Sequence, residues 1–300
     1  MEYLIDAPTS GFTSLARAPH DNDLRDRNLV KVIGKHLDKL LPFREKAPGV
    51  RRARTVHGPY APEHARTRKG FFSALVFRTI LFGSGYMFDH PIFFDQPDKL
   101  TNDHALMVAS FGPKYFVDAM IYGSATNRPL TNVSVLWDRT GSSGIPFNFH
   151  LADPTTDPLN FTAFYRQVIR MEPSPSGGAR RAYPQCGDLI GYLIAADYVY
   201  TGIVAMPDVD EMGRIIHHIA KGALSGLQLL ELVDPAFTDF EAAKPPVQHV
   251  QWAFRTFFEL VSSALTPEQR SHMGWDVITA EHTLCKISRL HGPQYRLLDL

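Results

Sequence analysis

The sequence predicts a mixed α+β fold in which helices predominate, and three patterns favour this class. Apolar residues recur at every third or fourth position in several segments, which is typical of amphipathic helices. A region shortly before residue 152 instead alternates apolar and polar residues, as strands do. A stretch rich in Pro, Ser and Gly at 172–187 separates that region from a second half in which only helical patterns occur.

These patterns predict how the chain is organised. Residues 1–171 form a mixed α+β part with a β-hairpin and short strands, residues 172–187 form a linker, and residues 188–300 form a helical part. The two parts could also belong to one continuous domain. A chain of 300 residues is long enough for either arrangement, because it can bury about three quarters of its unfolded surface.

The composition is that of a folded protein, with 44% hydrophobic and 21% charged residues. Two cysteines cannot build a disulfide framework, and the N-terminal residues lack the basic start and apolar run of a signal peptide. We therefore predict a cytoplasmic location. The formal net charge is zero, so any binding to nucleic acid must depend on local clusters of charge.

The first predicted helix runs from about Asp26 to Leu41, because its apolar residues have a helical period and Pro42 ends it. Farther along, the segment from Phe71 to Phe88 is strongly apolar. Arg78 lies in its middle, and its apolar pieces are shorter than the roughly 20 residues that a membrane span needs. We expect this segment to be buried core and the protein to have no membrane partner.

A β-hairpin is the clearest strand prediction. Val133 to Trp137 and Ile145 to Leu151 both carry apolar residues at alternate positions, and the residues between them are rich in Gly and Ser. These two runs therefore predict a pair of antiparallel strands.

Helical patterns follow the hairpin. Asp157 and Pro158 are typical of a helix start, and an apolar stripe from Phe161 to Ile169 follows them. We expect about four or five helices in the second half. Three of them can be located, and the first and last of these begin with a capping-box pattern. They cover Met212 to Leu232, about Val250 to Leu265, and Thr266 to about Leu290.

The most unusual feature of the sequence is the segment from Arg44 to Lys69, which contains eight Lys or Arg and two Glu. Burying unpaired guanidinium groups costs several kcal/mol each by a rough estimate, so we expect an exposed basic arm. Three roles are open: a solvated loop, a clamp for nucleic acid, or an arm that docks on an acidic face of another subunit. Arginine side chains in such an arm suit phosphates and carboxylates.

Further cationic clusters favour the clamp. Arg214, His217, His218 and Lys221 are three or four residues apart on one predicted helix, as are His282, Lys286 and Arg289 on another. Arg180 and Arg181 add a further pair, and Tyr60 or Tyr183 could stack on unpaired bases. The residues that we predict to bind RNA or DNA are Arg51, Arg52, Arg54, Arg66, Arg68, Lys69, Arg214, His218 and Lys221.

The sequence therefore predicts an oligomerising protein that binds nucleic acid, with a homo-oligomer or larger assembly as its form. Gly222 and Gly226 form a strip without side chains that permits close helix packing, either inside the protein or between subunits. A structural assembly subunit is one alternative, in which the basic arm binds a neighbouring protein.

A metal-assisted intracellular enzyme is the other alternative. Asp89, His90, Asp103 and His104 lie in one Asp/His-rich stretch, and a hydrolytic or oxygenase site needs two His and a carboxylate that converge. His150 is a further candidate for this site. The simpler interpretation is that Asp89 and Asp103 end or cap secondary-structure elements near prolines.

Other chemistry has little support in the sequence. Gly141 and Gly144 are one residue too close for a nucleophile elbow, Cys186 has no neighbouring His, and His217 and His218 point about 100° apart on a helix. No phosphate-binding loop or dinucleotide fingerprint occurs in the sequence. We therefore assign no catalytic residue and no cofactor.

Overall fold

A computed structural model describes residues 29–35, 37–116, 132–141, 157–174, 177–237 and 244–291. Helices dominate these residues, with one small two-stranded antiparallel sheet. Contacts divide the chain into two compact units. We call residues 1–47 and 207–300 the terminal unit, and residues 48–206 the central unit.

The elements follow one another along the chain, after a helical stretch at 29–35. They are α1 (Leu37–Leu40), α2 (Pro48–Ala53), α3 (Pro62–Ala65), α4 (Arg68–Val76), α5 (Tyr86–Asp89), α6 (Pro97–Phe111), α7 (Asn132–Gly141), α8 (Phe161–Ile169), β1 (Met171–Pro173), β2 (Ala179–Arg181), α9 (Asp188–Val199), α10 (Val209–Ile219), α11 (Gly222–Leu229), α12 (Val247–Ala264), α13 (Pro267–Met273) and α14 (Val277–Leu290). Short 3-10 turns occur at Arg44–Lys46 and Pro113–Phe116, and a π-helical turn at Phe77–Leu81 follows α4.

The core of the central unit forms around two helices that are apolar on every side. Residues 70–82 of α4 and the π-helical turn are all buried, and so are residues 191–199 of α9. A helix without a polar face must be covered all round, which α7 and α8 help to do by packing on α4 and α9. The prediction that Phe71 to Phe88 is mostly buried core is confirmed up to Met87, whereas Phe88 is exposed.

The predicted strand from Val133 to Trp137 is wrong, because these residues belong to α7. Val133, Leu136 and Thr140 are buried, and their spacing of three and four residues is helical. The β-branched valines had suggested alternation, but Val135 is 37% exposed and packing on α4 determines the conformation. The second predicted strand, 145–151, lies outside the described residues.

The one hairpin among the described residues lies elsewhere, within the predicted linker. β1 and β2 pair with Glu172 opposite Arg180, and Gly177 and Gly178 both adopt positive φ in the connection. Tyr183 and Cys186, which follow β2, are fully buried in the central unit. The chain passes between the two compact units at residues 47–48 and 206–207. The predicted division into two domains joined by 172–187 stays a prediction.

The terminal unit consists mainly of two tightly packed helix pairs, α10 with α12 and α11 with α14. A Cβ atom on Gly226 would lie 2.4 Å from the carbonyl oxygen of Leu284, and one on Gly213 would lie 2.6 Å from the Cα of Gln251. These two glycines therefore permit the close approach of the helices. The Gly222 and Gly226 strip is occupied by α14 inside the unit, so it is not available as a subunit interface.

Most helix predictions are confirmed, and two boundaries are corrected. Residues 29–35 and 37–40 are helical, as predicted for the first helix, and Ile33 and Leu40 are buried. The helix α8 begins after an Asn160 cap instead of Asp157. The predicted helix from Met212 to Leu232 is two helices, because Ala220 is left-handed at φ 47°.

The last predicted helix is also two. Thr266 and Gln269 form the predicted capping box at the start of α13, but Gly274 ends that helix at φ 65°. Asp276 then caps α14 by accepting a hydrogen bond from the amide of Thr279. Within the described residues, no helix combines the length and apolar character that crossing a membrane requires.

Candidate nucleic-acid interface

The segment Arg44 to Lys69 is folded and is not an exposed arm. Arg44 is only 2% exposed in the terminal unit, and residues 48–69 form two short helices and the start of α4 in the central unit. Tyr60 is buried too, and its hydroxyl donates a hydrogen bond to Asp197. Tyr60 and Tyr183 are therefore not available to stack on bases, and the expectation of full exposure is wrong for Arg44 and Tyr60.

Two of the predicted binding residues are instead bound to the ends of helices. Arg52 donates from Nε to the carbonyl oxygen of Met87 at 2.7 Å and from Nη2 to that of His90 at 3.1 Å, at the end of α5. Arg54 donates to the carbonyl oxygen of Tyr200 at 3.4 Å, just after α9, and its guanidinium lies 5.1 Å from the centre of that tyrosine ring. Both side chains are half-buried.

Arg68 makes a similar contact with α7. Its Nη2 donates to the carbonyl oxygen of Trp137 at 2.9 Å, and its guanidinium lies 4.3 Å from the centre of the Trp137 ring. Gly141 permits this position, because a Cβ there would lie 2.3 Å from Nη2. Lys69 is exposed and forms an ion pair with Asp95, and Arg66 is half-buried.

Arginine side chains bind at the ends of helices because those ends carry a partial charge. The last four carbonyl groups of a helix lack partners within it and carry a partial negative charge, so cations are favoured there. Arg181 likewise donates to the carbonyl oxygen of Ile169 at the end of α8. Much of the positive charge that suggested phosphate binding is therefore neutralised by the protein's own backbone.

We expect Arg52→Met to lower the free energy of unfolding of the central unit by about 1.5–3 kcal/mol, because two charge-assisted hydrogen bonds are lost. Arg51→Met is the matched control. The side chain of Arg51 is exposed and makes no hydrogen bond or ion pair with the described residues, so its replacement should change stability by less than about 0.5 kcal/mol. Urea unfolding of both variants measures the difference, and equal stabilities would contradict the capping role.

The three predicted residues of the terminal unit are all exposed. Arg214 and His218 are four residues apart on α10 and share a face, and the Arg214 side chain makes no hydrogen bond or ion pair within the described part of the chain. Lys221 was predicted to lie on this face of the same helix, but α10 ends at Ile219, before Lys221. It lies three residues beyond His218, so their Cα atoms are at most about 11 Å apart.

A neighbouring helix extends this surface with two residues that the sequence analysis missed. Arg255 on α12 forms an ion pair with Asp210 on α10, which is one helical turn before Arg214. Trp252 lies one turn before Arg255 and is 56% exposed. Trp252, Arg255, Arg214, His218 and Lys221 are thus neighbours in sequence or in space, and we call them the basic strip.

Neither Trp252 nor Arg255 could be assigned from sequence alone. Their positions are ordinary for the polar face of an amphipathic helix, and only the packing of α12 on α10 brings Arg255 to Asp210. An exposed tryptophan on a helix whose buried stripe was already complete is the one signal that the sequence offered.

The remaining cationic clusters are partly turned inward. Lys286 is 6% exposed and donates to the carbonyl oxygen of Lys39 at 2.7 Å, and Arg289 donates to the same oxygen at 3.2 Å. Burial, and next the charge of Arg289, lower the pKa of Lys286 to about 7. The Nε2 of His217 lies 3.0 Å from the carbonyl oxygen of Pro245, and burial lowers the pKa of this histidine.

The Asp/His-rich stretch of the metal alternative lies around an aromatic cluster in the central unit. The hydroxyl of Tyr86 donates to Asp103 at 2.7 Å, and that of Tyr115 donates to Asp89 at 2.6 Å. His90 stacks on Tyr86.

His104 lies against the Phe116 ring, and burial lowers its pKa. Over the whole described part of the chain, no three His, Cys, Asp or Glu side chains are grouped so that they could hold a metal ion. The metal alternative therefore gains no support from Asp89, His90, Asp103 and His104.

A catalytic thiol at Cys186 gains no support from the structure. Cys186 is fully buried, and burial raises its pKa, so the thiolate that nucleophilic attack requires is disfavoured.

Comparison with known proteins does not assign a function to this surface. No family model, no curated protein and no solved structure matches the chain. Its own residues therefore carry the functional argument.

Proposed function

We propose that the protein binds single-stranded nucleic acid through the basic strip of the terminal unit. The observation that carries this proposal is the ion pair between Arg255 of α12 and Asp210 of α10, which brings Arg255 within about one helical turn of Arg214, with the exposed Trp252 one turn before Arg255 on α12. The strip carries three fixed cations, Arg214, Arg255 and Lys221. The carboxylates of Asp210, Asp208 and Glu259 lie near Arg255, so the cations least offset by acidic neighbours on these helices are at the Arg214 and Lys221 end.

The strip has the two components that binding of single strands requires. Arginine and lysine neutralise phosphates, and an exposed aromatic ring stacks on unpaired bases without regard to sequence. Residues 210–219 extend about 14 Å along α10, which corresponds to about four nucleotides at 3.4 Å each. This length suits a short segment of RNA or DNA.

The basic segment Arg44 to Lys69 has a smaller part in this proposal than the sequence predicted. Arg52 and Arg54 bind the carbonyl ends of helices and Arg68 binds a carbonyl within α7, and Lys46, Arg51 and Lys69 are the other exposed cations of the segment. Assembly into an oligomer stays a prediction, to be checked by the mass of the purified protein in light scattering.

Titration of a fluorescent single strand of about ten nucleotides, followed by anisotropy at several salt concentrations, tests the proposal. If three or four phosphates are neutralised, log K should fall with log[salt] with a slope of about −2 to −3. A duplex of the same sequence should bind more weakly, because its bases cannot stack on Trp252. Absence of saturable binding at low salt, or affinity that does not change with salt, would contradict the proposal.

A further inference from the structure

A half-open cavity of about 360 Å³ lies in the terminal unit between α11, α14 and the loop that follows α11. Its polar wall consists of Lys221, Ser225, Gln228 and Ser288, and its apolar wall includes Leu224 and Phe237. The volume is within the range of about 300–1,000 Å³ that is usual for pockets that bind small molecules.

The apolar wall is held in place by a hydrogen bond. The Nε2 of Gln228 donates to the carbonyl oxygen of Phe237 at 2.7 Å, which ties the loop back to α11. This hydrogen bond holds the backbone of Phe237 beside α11, and its half-buried side chain lines the cavity. A ring in such a place favours ligands with a planar, weakly polar part.

The polar wall favours an anion. Lys221 brings a positive charge, and the hydroxyl groups of Ser225 and Ser288 come from two different helices that face the same space. Lysine and hydroxyl groups are common partners of phosphate oxygens. The described lining residues contain no Asp or Glu that would repel such a group.

The cavity and the basic strip share Lys221. From these observations we infer that the cavity holds the terminal nucleotide of a bound strand, with its end phosphate at Lys221, Ser225 and Ser288 and its base at Phe237. This inference rests on the proposed function, because it places the rest of the strand on the strip. It adds a preference for strands that carry a phosphate at their end.

The test compares otherwise identical single strands that end in a 5′-phosphate, a 3′-phosphate or only hydroxyl groups, by anisotropy at fixed salt. We expect one of the phosphorylated strands to bind about tenfold more tightly than the hydroxyl strand, since the end group adds charge-assisted hydrogen bonds. Equal affinities of all three strands would overturn the inference and leave the proposed function intact. Absence of binding by every strand is a different result, and it would overturn both.

Two variants locate the preference in the cavity. Ser225→Leu and Ser288→Leu each fill it from a different helix, so each should reduce the ratio of the affinities for the phosphorylated and hydroxyl strands to less than about twofold. Ser263→Leu is the matched control, because Ser263 is an exposed helical serine of α12 that does not line the cavity. An end preference that survives in both cavity variants, with thermal unfolding unchanged, would overturn the inference.

Discussion

Replacing Asp197 with alanine should lower the free energy of unfolding of the central unit by about 3–5 kcal/mol, the largest effect that we expect from a single substitution. Asp197 is fully buried and accepts hydrogen bonds from Nε and Nη2 of Arg78, both at 2.6 Å. It also accepts one from the hydroxyl of Tyr60 at 2.8 Å. Its removal leaves the Arg78 charge buried without its carboxylate, which is the costly state of such a pair.

The pair of Arg78 and Asp197 is enclosed by the core, so water does not readily take the place of the missing carboxylate. Arg78 is 1% exposed, and its guanidinium packs against the rings of Phe77 and Phe82, at 5.0 and 4.4 Å from their centres. Burial, and next the charge of Asp197, raise the pKa of Tyr60, so that its hydroxyl stays protonated and donates. Each group of this network therefore depends on the carboxylate of Asp197.

Asp95→Ala is the matched control for this prediction, because the ion pair between Lys69 and Asp95 is exposed at 48% and 67% of its two side chains. Exposed pairs contribute about 0–1 kcal/mol, so this variant should unfold almost like the unchanged protein in urea. A double variant with Met at 78 and Leu at 197 should be more stable than Asp197→Ala, since both charges are gone. Similar losses for Asp95→Ala and Asp197→Ala would contradict the argument.

The sequence predicts elements best where all the information is local. α8 illustrates this, because one polar cap and a stripe of aromatic and β-branched residues within nine positions specify it. α7 illustrates the opposite case. Its valines suit a strand by intrinsic preference, and only its packing on α4 makes Val133 and Leu136 a helical stripe.

Charged groups could not be placed from the sequence because their partners are distant along the chain. Arg78 and Asp197 are 119 residues apart, and Arg54 and Tyr200 are 146 apart. A cation can be neutralised by a phosphate, a carboxylate or a helix end, and local sequence does not distinguish these partners. The exposed arm was predicted for that reason, and the arginines of the segment instead contact the carbonyl ends of α5 and α9 and the Trp137 carbonyl of α7.

The second large effect is expected from reversing the charge of the basic strip. The double variant Arg214→Glu with Lys221→Glu should weaken binding of a single strand by about 100-fold at low salt, because two phosphate partners become repulsive. Both side chains are exposed, so unfolding of the terminal unit should change by less than about 1 kcal/mol. Anisotropy and urea unfolding of the same preparation separate the two effects.

Arg51→Glu with Lys99→Glu is the matched control, since it reverses two exposed cations of the central unit. We expect it to change affinity less than about threefold. Trp252→Ala separates stacking from charge: affinity should fall about tenfold while the salt slope stays the same, since one base loses its platform and no phosphate loses a cation. If the central-unit control weakens binding as much as the strip variant, phosphate contacts are not concentrated on the strip and binding through α10 is refuted.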